Sequence, residues 1–199
     1  MRPLGVILAG GRATRMGGGD KGRHLIDGQS LFDLVIARLR PQIGAMALNA
    51  NGDAARFADL GLPVVPDSLP DYPGPLAGVL AGLDWAAGQG ADAIVTVAAD
   101  TPFFPADLVE KLSAHGPLAL AATPDPKRGA ARHPTFGLWP TALREDLRAN
   151  LEKGLRKVVL WTDQHAAQTV LFPDEHAFFN VNTPEDLTRA AALAAEAKA

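Results

Sequence analysis

The sequence predicts a three-layer α/β/α sandwich around a mainly parallel sheet. Short apolar runs alternate with longer amphipathic runs along the 199 residues, which is the pattern of repeated βαβ units. Some short runs, such as Ile94-Val95-Thr96-Val97-Ala98, are apolar without alternation, as expected for strands that helices cover on both faces. This combination is Rossmann-like, and the length favours one domain over residues 1–199.

The individual elements follow from the same patterns. Strands are predicted from the short apolar runs at 4–8, 45–49, 63–65, 93–98, 118–123, 135–139, 169–172 and 178–181. Helices are predicted from the amphipathic runs at 31–40, 54–59, 76–87, 105–115, 141–151, 155–164 and 184–198. The last helix has a clear start, because Thr183 can cap it, Pro184 suits its first position and Asp186 completes a capping box. Residues 124–133 are polar and contain Pro and Gly, which favours a loop.

Composition excludes several kinds of site. The net charge of −3 provides no basic field for nucleic acid or an anionic membrane. Cysteine is absent, which excludes disulfides, thiolate zinc sites and cysteine nucleophiles. No apolar run approaches the roughly 20 residues that span a bilayer, and the N-terminus lacks a signal-peptide pattern. We therefore expect a cytosolic protein that binds neither nucleic acid nor membrane.

The first strand leads into a glycine-rich turn, Leu8-Ala9-Gly10-Gly11-Arg12-Ala13-Thr14-Arg15-Met16-Gly17-Gly18-Gly19-Asp20-Lys21-Gly22. The turn holds six glycines, two arginines and one lysine. Glycine lets backbone N–H groups approach a ligand closely, and the cations supply charge for polyphosphate. The segment predicts a phosphate-binding loop, with a glycine-rich surface loop as the alternative.

Two common glycine motifs do not describe this turn. Gly17-x-Gly19-x-x-Gly22 has the spacing of a dinucleotide-binding motif, but it lies well past the first strand and residues 23–28 do not have a helical pattern. Lys21 is followed by Gly22, whereas a P-loop needs Ser or Thr at that position to hold magnesium. The turn therefore matches neither motif, and a phosphate-binding loop of another kind or a glycine-rich surface loop remains.

An aspartate follows a buried strand in Ala98-Ala99-Asp100-Thr101-Pro102. In open α/β sheets ligands bind beyond the carboxyl ends of the strands, and a carboxylate there can hold Mg²⁺ together with phosphates. The alternative is that Asp100 is a turn or helix-cap residue. Asp107 fits a helix-start role better, since a carboxylate is favourable in a first helical turn.

Two further polar segments follow predicted strands. One runs from Asp67 to Gly78, and the other is Asn180-Val181-Asn182-Thr183. Asparagine can donate to phosphate oxygens, and it can both donate to and accept from pterin or base edges. Turn chemistry, or a role at the helix start, is the alternative for both asparagines.

Other catalytic constellations are missing from the sequence. No Gly-x-Ser-x-Gly elbow is present, and no metal-ligand spacing occurs among the histidines, which are His24, His115, His133, His165 and His176. The remaining groups are cations, one well-placed carboxylate and backbone donors. This set favours phosphoryl-type transfer, which can proceed by positioning and electrostatics alone.

Taken together, these segments resemble the signature of the MobA-like nucleotidyltransferases, in the order of that family and over essentially the whole chain. The matching segments are Leu8-Ala9-Gly10-Gly11, Arg15-Met16-Gly17, Asp20-Lys21, Asp67, Pro73-Gly74-Pro75-Leu76-Ala77-Gly78, Asp100-Thr101-Pro102-Phe103, His133-Pro134-Thr135 and Phe179-Asn180-Val181-Asn182-Thr183-Pro184-Glu185. The resemblance implies a fold of the nucleotide-diphospho-sugar transferase type. It also implies Mg²⁺-dependent transfer of GMP from GTP to Mo-molybdopterin, which forms Mo-molybdopterin guanine dinucleotide and releases pyrophosphate.

The resemblance also implies roles for individual residues. Nucleotide contacts are implied for Leu8, Ala9, Gly10, Gly11, Lys21, Asn49, Asp67 and Asp100. Catalytic roles are implied for Arg15 and Lys21, which would hold the triphosphate, and for Asp100, which matches the magnesium ligand. The molybdopterin side would be formed by Asn180, Asn182 and His133, with residues 132–135 bordering it.

Alternative functions of the same sequence remain open. The Gly10-Gly11 pair favours guanylyl transfer, since the cytidylyl relatives tend to carry Ala-Ala-Gly there. The alternatives are a molybdopterin cytidylyltransferase, another nucleotidyltransferase of the same fold, and a non-catalytic module that delivers nucleotide or cofactor to apoenzymes. Besides GTP and Mo-molybdopterin, the expected partners are molybdoenzyme apoproteins or other cofactor-biosynthesis proteins. The chain is expected to act as a monomer.

Overall fold

The computed structural model describes residues 2–10, 20–69, 74–174 and 176–196. Its strands are β1 (Leu4–Leu8), β2 (Leu25–Ile26), β3 (Gln29–Ser30), β4 (Met46–Asn49), β5 (Val64–Val65), β6 (Ala93–Ala98), β7 (Ala119–Asp125), β8 (Gly129–Pro140) and β9 (Gln168–Leu171). Its α-helices are α1 (Leu31–Leu39), α2 (Pro75–Gly88), α3 (Leu108–Ala114), α4 (Arg144–Glu152), α5 (Val158–Gln164) and α6 (Pro184–Glu196). Short 3₁₀ helices lie at Lys21–Arg23, Arg40–Gln42, Ala54–Leu60 and Thr141–Leu143.

The central sheet has seven strands in the order β5-β4-β1-β6-β8-β7-β9. Strand β1 pairs in parallel with β4 and β6, and the pairs β4–β5 and β7–β9 are also parallel. Strand β8 runs antiparallel to its neighbours β6 and β7, while β2 and β3 form a separate hairpin. The prediction of a mainly parallel sheet is confirmed. The carboxyl ends of β4, β1 and β6 therefore lie side by side at one edge.

Helices cover both faces of this sheet, which confirms the three-layer prediction. Val6 of β1 packs with Leu80 of α2, whereas the next residue, Ile7, packs on the opposite face with Val35 of α1. The side chains of Val6 and Ile7 are both fully buried, so β1 needs no alternation of apolar and polar residues. Helices α4 and α5 join α2 on one face, and α3 joins α1 on the other. No helix in the described ranges is long and apolar enough to cross a membrane.

Helix α6 begins where the capping pattern predicts. The Thr183 hydroxyl accepts from the Asp186 N–H at 3.2 Å, and the Asp186 carboxylate accepts from the Thr183 N–H at 3.0 Å. This reciprocal pair satisfies N–H groups that the first helical turn leaves without partners. The helix packs against the β2–β3 hairpin through Ala190 and Ile26, which brings the residues before it, 178–183, back to the sheet edge.

Three predicted elements differ from the structure. Residues 178–181 form an irregular segment instead of a strand, although Phe178 and Val181 are buried. Residues 124–133 form a hairpin instead of a loop, since β7 continues to Asp125, a turn occupies 126–128 and β8 begins at Gly129. The predicted helix at 54–59 is a 3₁₀ helix, Ala54–Leu60.

Strand β8 tolerates Pro134 in its interior because of a bulge. Leu120 pairs with Gly137, but Ala122, two residues further, already pairs with Arg132. The extra β8 residues between these positions include Pro134, which has no N–H for a ladder hydrogen bond. The irregularity lets one long strand contain both the polar 129–133 segment and the apolar segment that pairs with β6.

Candidate active site

The three parallel strands at the centre of the sheet bring the predicted nucleotide residues together. The Ala9 N–H donates to the Asn49 carbonyl at 2.9 Å, and the Ala99 N–H donates to the Leu8 carbonyl at 3.1 Å. Leu8, Asn49 and Asp100 therefore lie at adjacent strand ends. Because the Ala9 N–H already has a partner, a nucleotide contact from Ala9 would use its carbonyl or its methyl group.

Lys21 lies between two residues that the sequence assigned to different parts of the site. Its ammonium Nζ donates to Asn182 Oδ1 at 2.6 Å and lies 3.5 Å from Asp100 Oδ2. The side chains of Lys21 and Asp100 are 26% and 21% exposed, so the pair is accessible to a ligand. The structure thus joins the glycine-rich turn, the β6 end and the residues before α6 in a single cluster.

Thr101 links Asp100 and Asn180 through its side chain. This role was not predicted from the sequence. Its side chain is fully buried, and its hydroxyl donates to Asn180 Oδ1 at 2.5 Å while lying 3.2 Å from Asp100 Oδ1. The Val181 N–H also donates to the Asp100 carbonyl at 2.8 Å. A threonine after the strand-end aspartate was the available signal, because a hydroxyl can reach a neighbouring carboxylate.

A second polar cluster surrounds Asp67, beyond β5. The Asp67 carboxylate accepts from Asn49 Nδ2 at 3.0 Å and from Asn51 Nδ2 at 2.7 Å. The Asp67 N–H donates in turn to Asn51 Oδ1 at 2.8 Å. These bonds fix the carboxylate next to the ends of β4 and β1, where the base or ribose of a nucleotide was predicted. Asn51 was missed because its spacing from Asp67 matches no motif.

Gly78 allows α2 to approach this second cluster. A Cβ atom at Gly78 would overlap Asn49 Oδ1 and would lie 2.9 Å from Leu8 Cδ2. Helix α2 begins at Pro75, with Gly74 at φ 122° before it, a conformation that favours glycine. The Gly74-Pro75-Leu76-Ala77-Gly78 segment thus serves to pack a helix start against the nucleotide residues.

His133 lies in the β8 bulge, next to the irregular segment that carries the asparagines. Its ring stacks on Phe178 at 4.2 Å between centroids and 17° between planes. His133 Nε2 lies 3.1 Å from the Thr123 hydroxyl. Burial lowers the pKa of His133 from 6.5 to about 4, so the ring is neutral at pH 7. The predicted molybdopterin residues are therefore close in the fold, and His133 adds no positive charge to them.

The residues at Asp100 suit a magnesium ion that phosphates help to bind. Among the described residues no group of three or more His, Asp or Glu side chains could hold a metal alone. Mg²⁺ commonly uses one or two carboxylates and takes its other ligands from substrate phosphates and water. One accessible carboxylate beside a lysine fits that mode, and it does not fit a metal cage built from protein side chains.

Some predicted residues fall elsewhere. Arg15 and Gly11 lie outside the described residues, as do Gly17 and Gly19 of the rejected dinucleotide motif. Asp107 is the residue before α3 and forms an ion pair with Lys111 at 2.8 Å, which matches its predicted role at a helix start. Gly22 is buried in the 3₁₀ helix Lys21–Arg23, which the β2–β3 hairpin follows, so residues 23–28 contain no α-helix, as expected.

Comparisons with known proteins show the family to which this chain is similar. The MobA-like NTP transferase domain matches residues 5–168. A protein of Cereibacter sphaeroides named molybdenum cofactor guanylyltransferase is 51% identical over 193 residues, which cover 97% of each chain. A protein of Bradyrhizobium sp. (strain ORS 278) with the same name is 51% identical over 201 residues, covering 96% of this chain and 92% of the relative.

Solved structures share the fold at low sequence identity. Molybdopterin-guanine dinucleotide biosynthesis protein A from Archaeoglobus fulgidus has a TM-score of 0.71 and 21% identity, covering 97% of this chain and 99% of that one. The 4-diphosphocytidyl-2C-methyl-D-erythritol synthase from Anaerococcus prevotii has a TM-score of 0.75 and 12% identity, covering 98% and 96%. These likenesses support the predicted nucleotide-diphospho-sugar transferase type of fold. The family match and the two close relatives confirm the resemblance in the sequence, and the chain belongs to the MobA-like NTP transferase family.

Proposed function

We propose that this protein is a molybdenum cofactor guanylyltransferase, which transfers GMP from GTP to Mo-molybdopterin and releases pyrophosphate. The observation that carries the proposal is the contact of Lys21 with Asp100 and Asn182 at the sheet edge. A cation and a carboxylate next to an amide support a site in which the nucleotide and the acceptor bind side by side. The names of the relatives at 51% identity support the same reaction.

The proposed reaction needs no deprotonated serine or histidine in the protein. The terminal phosphate of molybdopterin is already anionic at neutral pH and attacks the α-phosphorus of GTP. The bond from the α-phosphorus to the bridging oxygen breaks, and pyrophosphate leaves with that electron pair. The obstacle is the approach of two anions, so the protein has to supply positive charge at fixed positions.

Each cluster has a separate task in this proposal. Lys21 and Arg15 stabilise the charge that develops on pyrophosphate, and Leu8, Ala9, Gly10, Gly11, Asn49 and Asp67 bind the guanine nucleotide. Asp100 would hold Mg²⁺, which when bound offsets negative charge on the phosphates. Asn180, Asn182 and neutral His133 form the molybdopterin side, where the His133 ring stacks on Phe178, two residues before Asn180.

Two other functions share the fold but fit the residues of this chain less well. A cytidylyltransferase would share the phosphate residues, so Gly10-Gly11 is the feature that favours GTP over CTP. A non-catalytic delivery module would not need a metal ligand beside a phosphate-binding lysine, whereas this chain has both. The proposal also covers residues 1–199 as one domain, a monomer in the cytosol, and molybdoenzyme apoproteins or other cofactor-biosynthesis proteins as partners.

Asp100→Asn tests the metal role, with Asp107→Asn as the matched control. Both changes remove one carboxylate charge, but Asp107 contacts Lys111 on α3 instead of the site. With GTP, Mg²⁺ and Mo-molybdopterin, Asp100→Asn should abolish pyrophosphate release while its unfolding midpoint stays near that of the wild type. Asp107→Asn should retain the activity. Turnover of Asp100→Asn near the wild-type rate would exclude Asp100 as the metal ligand.

A further inference from the structure

An arginine outside the candidate site connects the region of Lys21 to the Asn51–Asp67 cluster. Arg56 lies in the 3₁₀ helix Ala54–Leu60. Its guanidinium Nε is 3.0 Å from Asp20 Oδ2, and its Nη2 donates to the Asn51 carbonyl at 2.8 Å. Asp20 immediately precedes Lys21, and the Asn51 side chain holds Asp67. One planar guanidinium therefore contacts a residue next to each of the two polar clusters.

A second arginine, Arg23, connects the Lys21–Arg23 turn to the 3₁₀ helix Ala54–Leu60. Arg23 follows Lys21 by two positions, and its Nη2 donates to Asp59 Oδ1 at 2.7 Å and also to the Arg56 carbonyl. The two arginines thus cross between the Lys21–Arg23 turn and the 3₁₀ helix. We call these two arginines and their partners Asp20 and Asp59 the arginine clasp.

Aromatic packing fixes the same two segments against each other. Phe32 of α1 and Phe57 of the 3₁₀ helix make an edge contact at 5.8 Å, and the Arg56 guanidinium lies 4.6 Å from the Phe57 ring centroid. Gly22 packs so closely on Phe32 that a Cβ atom would overlap the ring. The backbone of Lys21 is therefore held on both sides, by Asp20 before it and by Gly22 and Arg23 after it.

We propose that Arg56 is a positioning residue for Lys21, acting through Asp20, and that it keeps the phosphate-binding lysine in register with the Asn51–Asp67 cluster. This inference rests on the proposed function, in which Lys21 binds the triphosphate. A guanidinium can donate to Asp20 and Asn51 at once because its donors form a rigid fork, whereas a lysine offers a single ammonium. The Arg56 side chain is 39% exposed, and an exposed ion pair contributes little to stability. Its loss should therefore affect catalysis more than folding.

Arg56→Met is the first test, with Arg148→Met as the matched control. Arg148 is also an arginine paired with a carboxylate, since its Nη2 lies 2.7 Å from Asp84 Oδ1, but that pair joins α4 to α2. Arg56→Met should lower kcat/KM for GTP by roughly 10- to 100-fold, as misplacement of a reacting group does, with an unchanged unfolding midpoint. Arg56→Lys should restore part of the loss, and Arg148→Met should behave as wild type.

A double-mutant cycle with Lys21→Met separates positioning from direct contact or general damage. If Arg56 acts through Lys21, Arg56→Met should cost little more once Lys21 is gone, because the two effects share one route. Additive losses would overturn the proposal, and so would wild-type kinetics in Arg56→Met. If the wild-type protein itself releases no pyrophosphate, the proposed function fails instead.

Amide hydrogen exchange tests the clasp without any activity. The Arg23 N–H donates to the Asp20 carbonyl at 2.9 Å, and the His24 N–H donates to the Lys21 carbonyl at 3.2 Å. Arg56→Met should accelerate exchange at these two amides in the free protein, while Arg148→Met should leave them unchanged. Equal exchange in both variants would show that Arg56 does not hold the turn.

Discussion

Lys21 Nζ and Asn182 Oδ1 are 2.6 Å apart, although 161 positions separate the two residues in the chain. Asn182 directly precedes Thr183, yet the two have different tasks. The Thr183 side chain caps α6 by accepting from the Asp186 N–H, whereas the Asn182 side chain faces the lysine of the glycine-rich turn. The start of α6 is thus both a structural anchor and one wall of the site.

Asn182→Ala and Thr183→Ala should separate these two tasks. Asn182→Ala removes the oxygen that orients Lys21 and should lower kcat/KM for GTP by roughly 10-fold, a modest part of the 10²–10³-fold cost of losing a preorganised donor. Its unfolding midpoint should not change, because the Asn182 N–H still donates to Asp186.

Thr183→Ala should show the opposite behaviour. Loss of an N-cap costs roughly 1 kcal/mol of unfolding free energy, which lowers the midpoint by about 2–4 °C in a protein of this size, while kcat/KM stays near wild type. Thermal unfolding and steady-state kinetics on both variants check the pair. Loss of activity in Thr183→Ala alone would contradict the assignment of Asn182 to the site.

Gly78→Ala should damage the nucleotide site, whereas Gly88→Ala in the same helix should not. A methyl group at Gly78 would overlap Asn49 Oδ1, but a Cβ atom at Gly88 meets no atom within 4 Å. Overpacking at Gly78 should cost roughly 1–3 kcal/mol of stability and raise KM for GTP by displacing Asn49. Gly88→Ala should stabilise the protein by about 0.5–1 kcal/mol.

Chemical unfolding of both variants, together with KM for GTP, checks this comparison. Equal effects of the two substitutions would show that the contact of Gly78 with Asn49 does not shape the site.

Protonation of His133 should destabilise the fold in mild acid. Burial lowers the pKa of His133 to about 4 from 6.5, so the unfolded chain takes up the proton at a higher pH than the folded chain. The stability contributed by the neutral ring is therefore fully present above about pH 6.5 and is lost as the pH falls towards 4. His133→Phe keeps an aromatic ring but cannot titrate.

The measurement is the difference in unfolding midpoint between wild type and His133→Phe as a function of pH. We expect a constant difference in unfolding midpoint above pH 6.5. Between pH 6.5 and 4 the wild-type midpoint should fall relative to that of His133→Phe. A difference that does not change with pH would show that the His133 proton is not linked to folding.

The positions of Asp100 and Asn49 at the sheet edge could be predicted from the sequence, because parallel strands impose this geometry. A buried apolar strand followed by Asp100 has few possible positions other than the sheet edge, and Asn49 follows the neighbouring strand in the same way. Thr183, Pro184 and Asp186 similarly define a helix start through local hydrogen bonds. In these places the residues that determine the local structure lie within the same short stretch of chain.

The remaining parts depend on contacts between distant segments. The buried apolar residues Phe178 and Val181 suggest a strand, but here they pack an irregular segment under the site. The full length of β8 could not be predicted from the sequence, because the bulge that accommodates Pro134 arises from pairing with β7. Arg56 and Asp20 follow no motif, so their ion pair became visible only in the folded chain.

The most direct test of the account is the choice of nucleotide by the wild-type protein. Each of the four ribonucleoside triphosphates is incubated with Mg²⁺, the protein and molybdenum-loaded molybdopterin, and both pyrophosphate and the dinucleotide product are measured. We expect pyrophosphate and Mo-molybdopterin guanine dinucleotide to form with GTP and with none of the other three nucleotides. Preferential use of CTP would contradict the guanylyl assignment, and no product with any nucleotide would contradict catalysis at the Lys21–Asp100 site.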